Sequence, residues 1–236
     1  MLDLFLLNFM INKKIKRYYK NLKNYFSSTK KAKKSVGQLS KETVEGELLT
    51  KFISNNDIRN VLEIGTWNGL GSTKTIHDAL LKNSPNFNFI SIESDKIFYK
   101  QALINLDKYL GNNFQILLGR IIEIDELPHE KDIDFEKFGF NTGNKEWLVQ
   151  DLRRYKKIKN IYNKLPKNFD LILLDGGEFS TLPEFLKLYK KTRFICLDDT
   201  DTYKQYEVLK FINKNSQNFI EIIGNNRFSI YEVIHI

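Results

Sequence analysis

Residues 61–73, VLEIGTWNGLGST, place an acid, three glycines and several small hydroxyl side chains around one expected turn. Glycines at 65, 69 and 71 allow the main chain to bend sharply, and they let a ligand lie against backbone amides. A helix beginning near Ser72 would direct its unpaired N–H groups, and the positive end of its dipole, at the same turn. The stretch therefore predicts a nucleotide-type pocket between a strand and a helix.

Further acids stand where later apolar runs end. Glu93 closes FNFISIE, Asp175 closes FDLILLD, and Asp198 with Asp199 follows RFICL. The carboxyl ends of parallel strands meet at the ligand crevice of an open α/β sheet, so we expect Asp175, Asp198 and Asp199 to converge. Converging carboxylates repel one another unless a cation joins them, and oxygen ligands select a hard ion such as Mg²⁺. The other interpretation is that strand-end acids cap the helices that follow.

Strands and helices alternate from residue 41 onward. Strands are predicted at 60–64, 87–93, 114–119, 169–175, 193–198, 219–224 and 228–236, and helices at 41–54, 72–82, 95–110, 182–191 and 203–215. Residues 120–168 are an irregular insertion that ends in a helix over 146–165. This order predicts an α/β fold, a Rossmann-like doubly wound and mostly parallel sheet of seven strands. One edge strand is antiparallel, and helices cover both faces.

The basic character of the chain belongs to its first 36 residues. The 236-residue chain has a net charge of +8. Residues 1–36 contribute +9 and the remainder −1, so nucleic acid is not the expected substrate. We expect an N-terminal arm, 1–36, and one domain, 37–236. The single cysteine, Cys196, fits a cytoplasmic protein without disulfides.

The arm has the spacing of an amphipathic helix, with Ile11, Ile15, Tyr18, Leu22 and Tyr25 on one face and lysines on the other. Three roles stay open for it. The arm can lie on a membrane surface, which makes the protein peripheral to a membrane; it can dock on its own domain; or it can form a homodimer.

The glycine turn departs from the dinucleotide fingerprint and from the P-loop, which needs a Gly-Lys-Ser/Thr sequence. Its spacing, Glu63-x-Gly65-x-x-x-Gly69-x-Gly71, closely resembles motif I of the class I S-adenosylmethionine-dependent methyltransferases. The resemblance implies that the turn carries the methionyl group, that Glu63 holds its amino group, and that Glu93 binds the ribose hydroxyls. The cofactor residues that it implies are Glu63, Gly65, Thr66, Trp67, Gly69, Gly71, Ser72, Glu93, Ser94, Gly119, Arg120 and Asp175.

Within that family the chain is most similar to small-molecule and sugar O-methyltransferases with one acid after strand four and an acid pair after strand five. The resemblance implies Asp175, Asp198 and Asp199 as Mg²⁺ ligands, the ion lowering the pKa of an acceptor hydroxyl. Asp175 is thus a catalytic candidate. The catechol type has a lysine three residues after the strand-four acid, where this chain has Glu178. Glu178 and His129 are therefore candidate bases.

The insertion, 120–168, is the expected cap over the acceptor. Trp147 and Tyr155 can stack on a ring, and Arg153 and Arg154 can hold a phosphate or carboxylate; the other interpretation is a solvated basic helix. We expect a methyltransferase that modifies a hydroxyl of a small molecule or glycan unit. The alternatives are a non-catalytic cofactor-binding subunit recruited through the basic arm, and a methyltransferase-fold enzyme with other chemistry such as aminopropyl transfer.

Overall fold

A computed structural model of the chain describes residues 39–83, 86–133, 135 and 145–234. These residues belong to the unit Gly37–Ile236. The predicted arm, 1–36, lies outside the described residues, as does His235 at the end of the predicted last strand.

Seven strands form one sheet in the order β3-β2-β1-β4-β5-β7-β6. The strands are β1 Asn60–Ile64, β2 Asn88–Glu93, β3 Phe114–Leu118, β4 Phe169–Leu174, β5 Thr192–Asp198, β6 Phe219–Gly224 and β7 Phe228–Val233. Pairing is parallel from β3 through β5, and β7 runs antiparallel to both β5 and β6. The predicted seven-stranded, mostly parallel sheet is confirmed. The antiparallel strand β7 lies one place inside the edge that β6 forms.

Helices connect the parallel strands. They are α1 Val44–Asn55, α2 Ser72–Asn83, α3 Lys96–Asn105, α4 Lys145–Tyr155, α5 Thr181–Leu188 and α6 Tyr203–Lys214. Short 3₁₀ turns occupy Ile124–Glu126, Glu130–Asp132, Tyr162–Lys164, Tyr189–Lys191 and Ser216–Asn218. Among the described residues no helix is both long and apolar enough to cross a bilayer.

The sheet separates two apolar layers. Successive residues of a strand point to opposite faces, so the central strands contribute to both layers. Leu62 and Ile172 pack in one layer with Phe185 of α5, whereas Val61 and Leu171 pack in the other. Strands buried on both faces in this way hold their carboxyl ends in fixed positions.

The insertion contains a shorter helix than the sequence predicts. Helix α4 ends at Tyr155, and the chain then forms a parallel bridge between Asn160 and Arg120. The Arg120 N–H donates to the Lys159 carbonyl at 3.1 Å, and the Ile161 N–H donates to the Arg120 carbonyl at 2.8 Å. The predicted helix over 146–165 is therefore wrong in its second half, because these backbone groups pair with the segment after β3.

Candidate functional site

The strand order reverses between β1 and β4, and the ligand crevice of such a sheet lies at the carboxyl ends of the strands there. Backbone hydrogen bonds join those ends. The Gly65 N–H donates to the Ile92 carbonyl, and the Asp175 N–H donates to the Ile64 carbonyl, both at 2.9 Å. The turns after β1, β2 and β4 are thus parts of one site.

Gly65 is required by the contact between two of these turns. Its φ is +102°, and a Cβ on it would lie 2.0 Å from the Asp175 carbonyl oxygen. The sequence interpretation assigned this glycine to the approach of a ligand, but the neighbouring main chain is what excludes a side chain here. Trp67 at φ +49° and Gly69 at φ +77° continue the left-handed turn.

We expect Gly65→Ala to lower the free energy of unfolding by about 3 kcal/mol or more, since it adds both backbone strain and a clash with main chain. Urea denaturation of the purified variant measures this loss. Gly111→Ala is the matched control, because no atom lies within 4 Å of a Cβ there. We expect that control to stay within about 0.5 kcal/mol of wild type. Equal midpoints for the two variants would contradict the assignment of Gly65.

Glu63 is fully buried and anchors the turn to the sheet. Its carboxylate accepts hydrogen bonds from Ser72 Oγ at 2.6 Å, Thr73 Oγ1 at 2.7 Å and Ser91 Oγ. Burial raises the pKa of Glu63 to about 7, against the opposing effect of these hydroxyls. The carboxylate therefore joins β1, β2 and the start of α2. Its predicted contact with the amino group of a cofactor stays a prediction.

Glu93 ends β2 beside the glycine turn. Its Oε2 accepts the Trp67 N–H and its Oε1 accepts the Asp95 N–H, each at 2.7 Å. A carboxylate oxygen has two acceptor sites, so one remains on each oxygen for a ligand hydroxyl. Burial raises the pKa of Glu93 to about 7, although both backbone N–H groups lower it. This geometry is suited to a vicinal diol.

Other predicted cofactor residues surround these two acids. Thr66 is buried and its hydroxyl meets that of Ser91. Ser94 Oγ accepts a bond of 3.4 Å from Arg154. Gly119 donates its N–H to the Glu93 carbonyl at 3.0 Å. The Arg120 guanidinium binds the Ile122 carbonyl and Glu123 within its own loop. A contact of Gly119 or Arg120 with adenine stays a prediction.

Asp175, Asp198 and Asp199, here termed the acid cluster, lie together after β4 and β5. One carboxylate oxygen from each lies within 4.8 Å of those of the other two. Asp198 is buried, whereas the side chains of Asp175 and Asp199 keep 26% and 21% of their surface exposed. The structure thus brings the predicted metal-binding acids together, as strand order leads one to expect.

A lysine that the sequence analysis missed lies inside the acid cluster. Lys204 Nζ donates to Asp175 Oδ1 at 2.6 Å and to Asp199 Oδ2 at 2.9 Å, and its side chain is only 6% exposed. Burial lowers the pKa of Lys204, but Asp175 and Asp199 outweigh it and raise that pKa well above its usual range. Arg227 Nη2 reaches the other oxygen of Asp199 at 2.7 Å.

These contacts decide how well a divalent ion fits. Three carboxylates are suitable donors for Mg²⁺. However, Lys204 already uses one oxygen of Asp175 and one of Asp199, and Arg227 uses the second oxygen of Asp199. An ion held by all three acids would lie beside these two cationic groups, so charge repulsion opposes its binding while Lys204 keeps this position. The predicted Mg²⁺ therefore stays a prediction, and the lysine supplies another counter-charge.

The loop after β5 is held in an uncommon conformation. Asp199 has a φ of +56°, in the left-handed region that non-glycine residues seldom adopt. Gln205 Nε2 donates to the Leu174 carbonyl at 2.9 Å and to the Asp198 carbonyl at 3.0 Å. This amide, which the sequence analysis also missed, fastens the ends of β4 and β5 to each other and fixes the acid cluster.

The two candidate bases lie in different surroundings. Glu178 Oε2 is buried and has no hydrogen-bond partner among the residues that the structure describes. Burial raises the pKa of Glu178, and the charge of Lys204 opposes this rise. His129 is exposed and borders a cavity of about 610 Å³ whose lining includes Asp125, Leu148 and Lys156 but neither Glu178 nor the acid cluster. The structure places Glu178, but not His129, beside the acids.

The insertion helix supplies a buried polar group rather than a stacking surface. Tyr155 is 3% exposed and donates its hydroxyl to Glu184 Oε1 at 3.0 Å. Burial raises the pKa of Glu184 to about 7. Arg154 pairs with the buried Asp151. Tyr155 therefore cannot stack on an acceptor in this conformation, whereas Trp147 is half-buried and Arg153 is exposed.

Comparison with known proteins gives structural likeness only. No protein-family model matches the chain. No curated protein matches it. An O-methyltransferase from Bacillus cereus in complex with S-adenosylhomocysteine is 15% identical, with 92% of this chain and 90% of that one covered and a TM-score of 0.53. The O-methyltransferase TomG from Streptomyces achromogenes, in complex with S-adenosylmethionine, is 17% identical. The match covers 91% of this chain and 96% of that one, with a TM-score of 0.51.

A third similar structure is the cofactor-bound protein Rv0187 from MTB, at 14% identity, with 91% of this chain and 97% of that one covered and a TM-score of 0.55. At these identities the likeness concerns the fold. It is a likeness of the seven-stranded, mostly parallel sheet and its surrounding helices. The described part of the chain therefore has the Rossmann-like fold of the class I S-adenosylmethionine-dependent methyltransferases.

Proposed function

We propose that the chain is an S-adenosylmethionine-dependent methyltransferase that modifies a hydroxyl group. The observation that carries this proposal is Glu93, which keeps one acceptor site on each oxygen directly beside the left-handed glycine turn. A carboxylate in that state suits the two hydroxyls of a ribose. Solved structures of the same fold that hold S-adenosylmethionine or S-adenosylhomocysteine support the choice of ligand.

Two groups of residues can hold the two ends of this cofactor. Glu93 would bind the ribose hydroxyls, and the backbone of the turn 65–71 would carry the methionyl end near the start of α2. The helix N-terminus favours a carboxylate at that end. When bound, the cofactor supplies a methyl group on a sulfonium, which is an electrophile.

The chain's own groups then order and deprotonate the acceptor. Asp175, a quarter exposed at the end of β4, would orient the hydroxyl. Glu178, with a buried oxygen that has no described partner, would take the hydroxyl proton. The bound cofactor would supply the methyl group to the acceptor oxygen, and its sulfur would keep the electron pair of the carbon–sulfur bond. The proton ends on Glu178, so charge and atoms balance.

Cofactor affinity should depend on pH through Glu93. Its pKa is raised from 4.5 to about 7 in the folded chain. The ionised carboxylate accepts both ribose hydroxyls, so we expect S-adenosylhomocysteine affinity to be full above about pH 8 and to fall as pH drops through 7. Calorimetric titrations at pH 8, 7 and 6 measure this fall. Affinity that is constant over this range would contradict the role of Glu93.

Folding stability should change in the opposite direction. The folded-state pKa values of Glu63, Glu93 and Glu184 are all raised to about 7, so the folded chain binds more protons than the unfolded one between about pH 4.5 and 7. Their stabilising contribution is present below about 4.5 and is lost as pH rises through 7. Thermal unfolding of the ligand-free chain over the same titration series separates this effect from binding.

The proposed acceptor is a small molecule or a glycan unit. An exposed Arg153 and a half-buried Trp147 on α4 support a polar acceptor with a ring, such as a sugar. Nucleic acid is not favoured, because the domain outside the basic arm has a net charge of −1. A cytoplasmic location, and membrane or homodimer contact through the arm, stay predictions. A non-catalytic subunit is disfavoured because Glu93 and Glu178 both keep acceptor sites open.

Transfer of radiolabelled methyl groups to a panel of candidate acceptors tests the proposal. The panel contains nucleotide sugars, glycans, catechols, a peptide mixture and transfer RNA. We expect label in a hydroxyl-bearing small molecule or glycan, as a methyl ether stable to alkali, and no label with Glu93→Ala. Label found only in peptide or RNA would contradict O-methylation of a small acceptor. The same panel with EDTA or added Mg²⁺ tests magnesium assistance.

A further inference from the structure

The ammonium of Lys204 lies between the acids that end β4 and β5. It contacts Asp175 at 2.6 Å and Asp199 at 2.9 Å with its side chain 6% exposed. A metal ion bound by the predicted acid ligands at this edge of the sheet would have to bridge these same two carboxylates. The lysine therefore occupies the cation position of the acid cluster.

A second cationic side chain, that of Arg227, contacts the other carboxylate oxygen of Asp199. Arg227 Nη2 donates to Asp199 Oδ1 at 2.7 Å, so a cation contacts each oxygen of that carboxylate. Mg²⁺ needs oxygen ligands at about 2.0–2.1 Å in a near-octahedral arrangement, and neither an ammonium nor a guanidinium can supply one. An ion bound to both Asp175 and Asp199 would lie next to the Lys204 ammonium, and repulsion between the two cations opposes binding of the ion while Lys204 is in place.

Contacts of the first turn of α6 oppose movement of Lys204 out of the acid cluster. Lys204 lies in the first turn of α6, Tyr203–Lys214. The next residue, Gln205, donates to the carbonyls of Leu174 and Asp198 at 2.9 and 3.0 Å. The first turn of the helix is thus anchored to the ends of both strands, and this anchoring keeps the ammonium in the acid cluster.

We propose that Lys204 is the resident cation of the acid cluster in place of a divalent metal, and that methyl transfer by this chain is metal-independent. The second half rests on the proposed methyl transfer, whereas the first half does not. Lys204 acts here as a positioning residue, because it fixes Asp175, whose side chain keeps 26% of its surface exposed for an acceptor.

Binding of Mn²⁺ to the full-length protein, followed by electron paramagnetic resonance, tests the first half. We expect wild type to leave the Mn²⁺ signal unchanged at submillimolar ion, whereas Lys204→Ala and Lys204→Gln bind the ion. Adding Asp199→Asn to either variant should remove that binding. Lys210→Ala is the matched control, since Lys210 lies on the same helix in an exposed pair with Glu207.

Thermal unfolding gives a second readout. We expect the Lys204 variants to melt below wild type in EDTA, because their acids lose a counter-charge, and Mn²⁺ to restore part of the loss. Wild type should melt at the same temperature in both buffers. Mn²⁺ binding by wild type that is lost in Asp199→Asn would overturn the proposal, as would folded Lys204 variants that bind no ion. If neither Lys204 variant folds, the Mn²⁺ spectrum with wild type alone tests the proposal: an unchanged signal supports it, and binding of the ion overturns it.

Titration of the same samples with S-adenosylhomocysteine in EDTA separates this proposal from the proposed function. Failure of wild type to bind S-adenosylhomocysteine would count against the methyltransferase and leave the Mn²⁺ result intact. For an acceptor identified in the labelling panel, we expect equal transfer rates in EDTA and in Mg²⁺. A loss of more than about tenfold in EDTA would overturn metal independence.

Discussion

Glu93→Ala is expected to weaken binding of S-adenosylhomocysteine at least about 100-fold. Hydrogen bonds to a charged group each contribute about 1.5–3 kcal/mol, and the proposed ribose contact has two of them. The substitution also frees the backbone N–H groups of Trp67 and Asp95, which Glu93 holds at 2.7 Å. The turn therefore loses order as well as its ligand contact. Isothermal titration at pH 8 measures the change.

Two further variants make that measurement specific. Glu93→Gln keeps the size of the side chain but has one acceptor oxygen, so we expect an intermediate affinity that varies little with pH. Glu207→Ala, which removes a partly exposed acid of α6 that pairs with Lys210, should bind as wild type does. Unchanged affinity in a folded Glu93→Ala protein would remove the ribose assignment.

Glu178→Gln is expected to lower kcat by about 10²–10⁴-fold, which is the usual contribution of a general base. The amide is nearly isosteric with the carboxylate, so the packing around residue 178 should stay in place. Because Glu178 is not among the groups proposed to hold the cofactor, its S-adenosylhomocysteine affinity should not change. Single-turnover transfer to an acceptor from the labelling panel measures the chemical step.

His129→Gln is the matched control for this variant. His129 is exposed at a separate cavity, so we expect its removal to leave kcat unchanged. A large loss in His129→Gln together with normal transfer by Glu178→Gln would reverse the assignment of the base.

The strand ends could be predicted from the sequence because their signals are local. Glu93 and Asp175 end mainly apolar stretches, and Glu63 lies one residue before the end of β1; a parallel sheet brings the ends of such stretches to one edge. The glycine pattern also marked the correct turn. The reason that the sequence analysis gave for Gly65 was wrong. A side chain there would clash with the carbonyl of Asp175, which is 110 positions away in the chain, so no spacing rule reveals this contact.

The charges that balance the acid cluster could not be predicted in the same way. Lys204 and Gln205 begin an amphipathic helix and resemble ordinary polar residues of its first turn. Arg227 lies in a hairpin turn and reaches Asp199 only because β7 pairs with β5. The buried Glu184 likewise depends on Tyr155 from the insertion. A possible signal was the surplus of acids after β5, which requires counter-charges from elsewhere in the chain.

Titration of the wild-type protein with S-adenosylhomocysteine at pH 8, by isothermal calorimetry in EDTA, tests the central claim most directly. The account predicts saturable binding of one molecule per chain with micromolar affinity, without any added metal, because Glu93 and the backbone of the turn 65–71, and not the carboxylates of the acid cluster, are proposed to hold the cofactor. A folded protein that shows no binding at millimolar ligand would contradict the account.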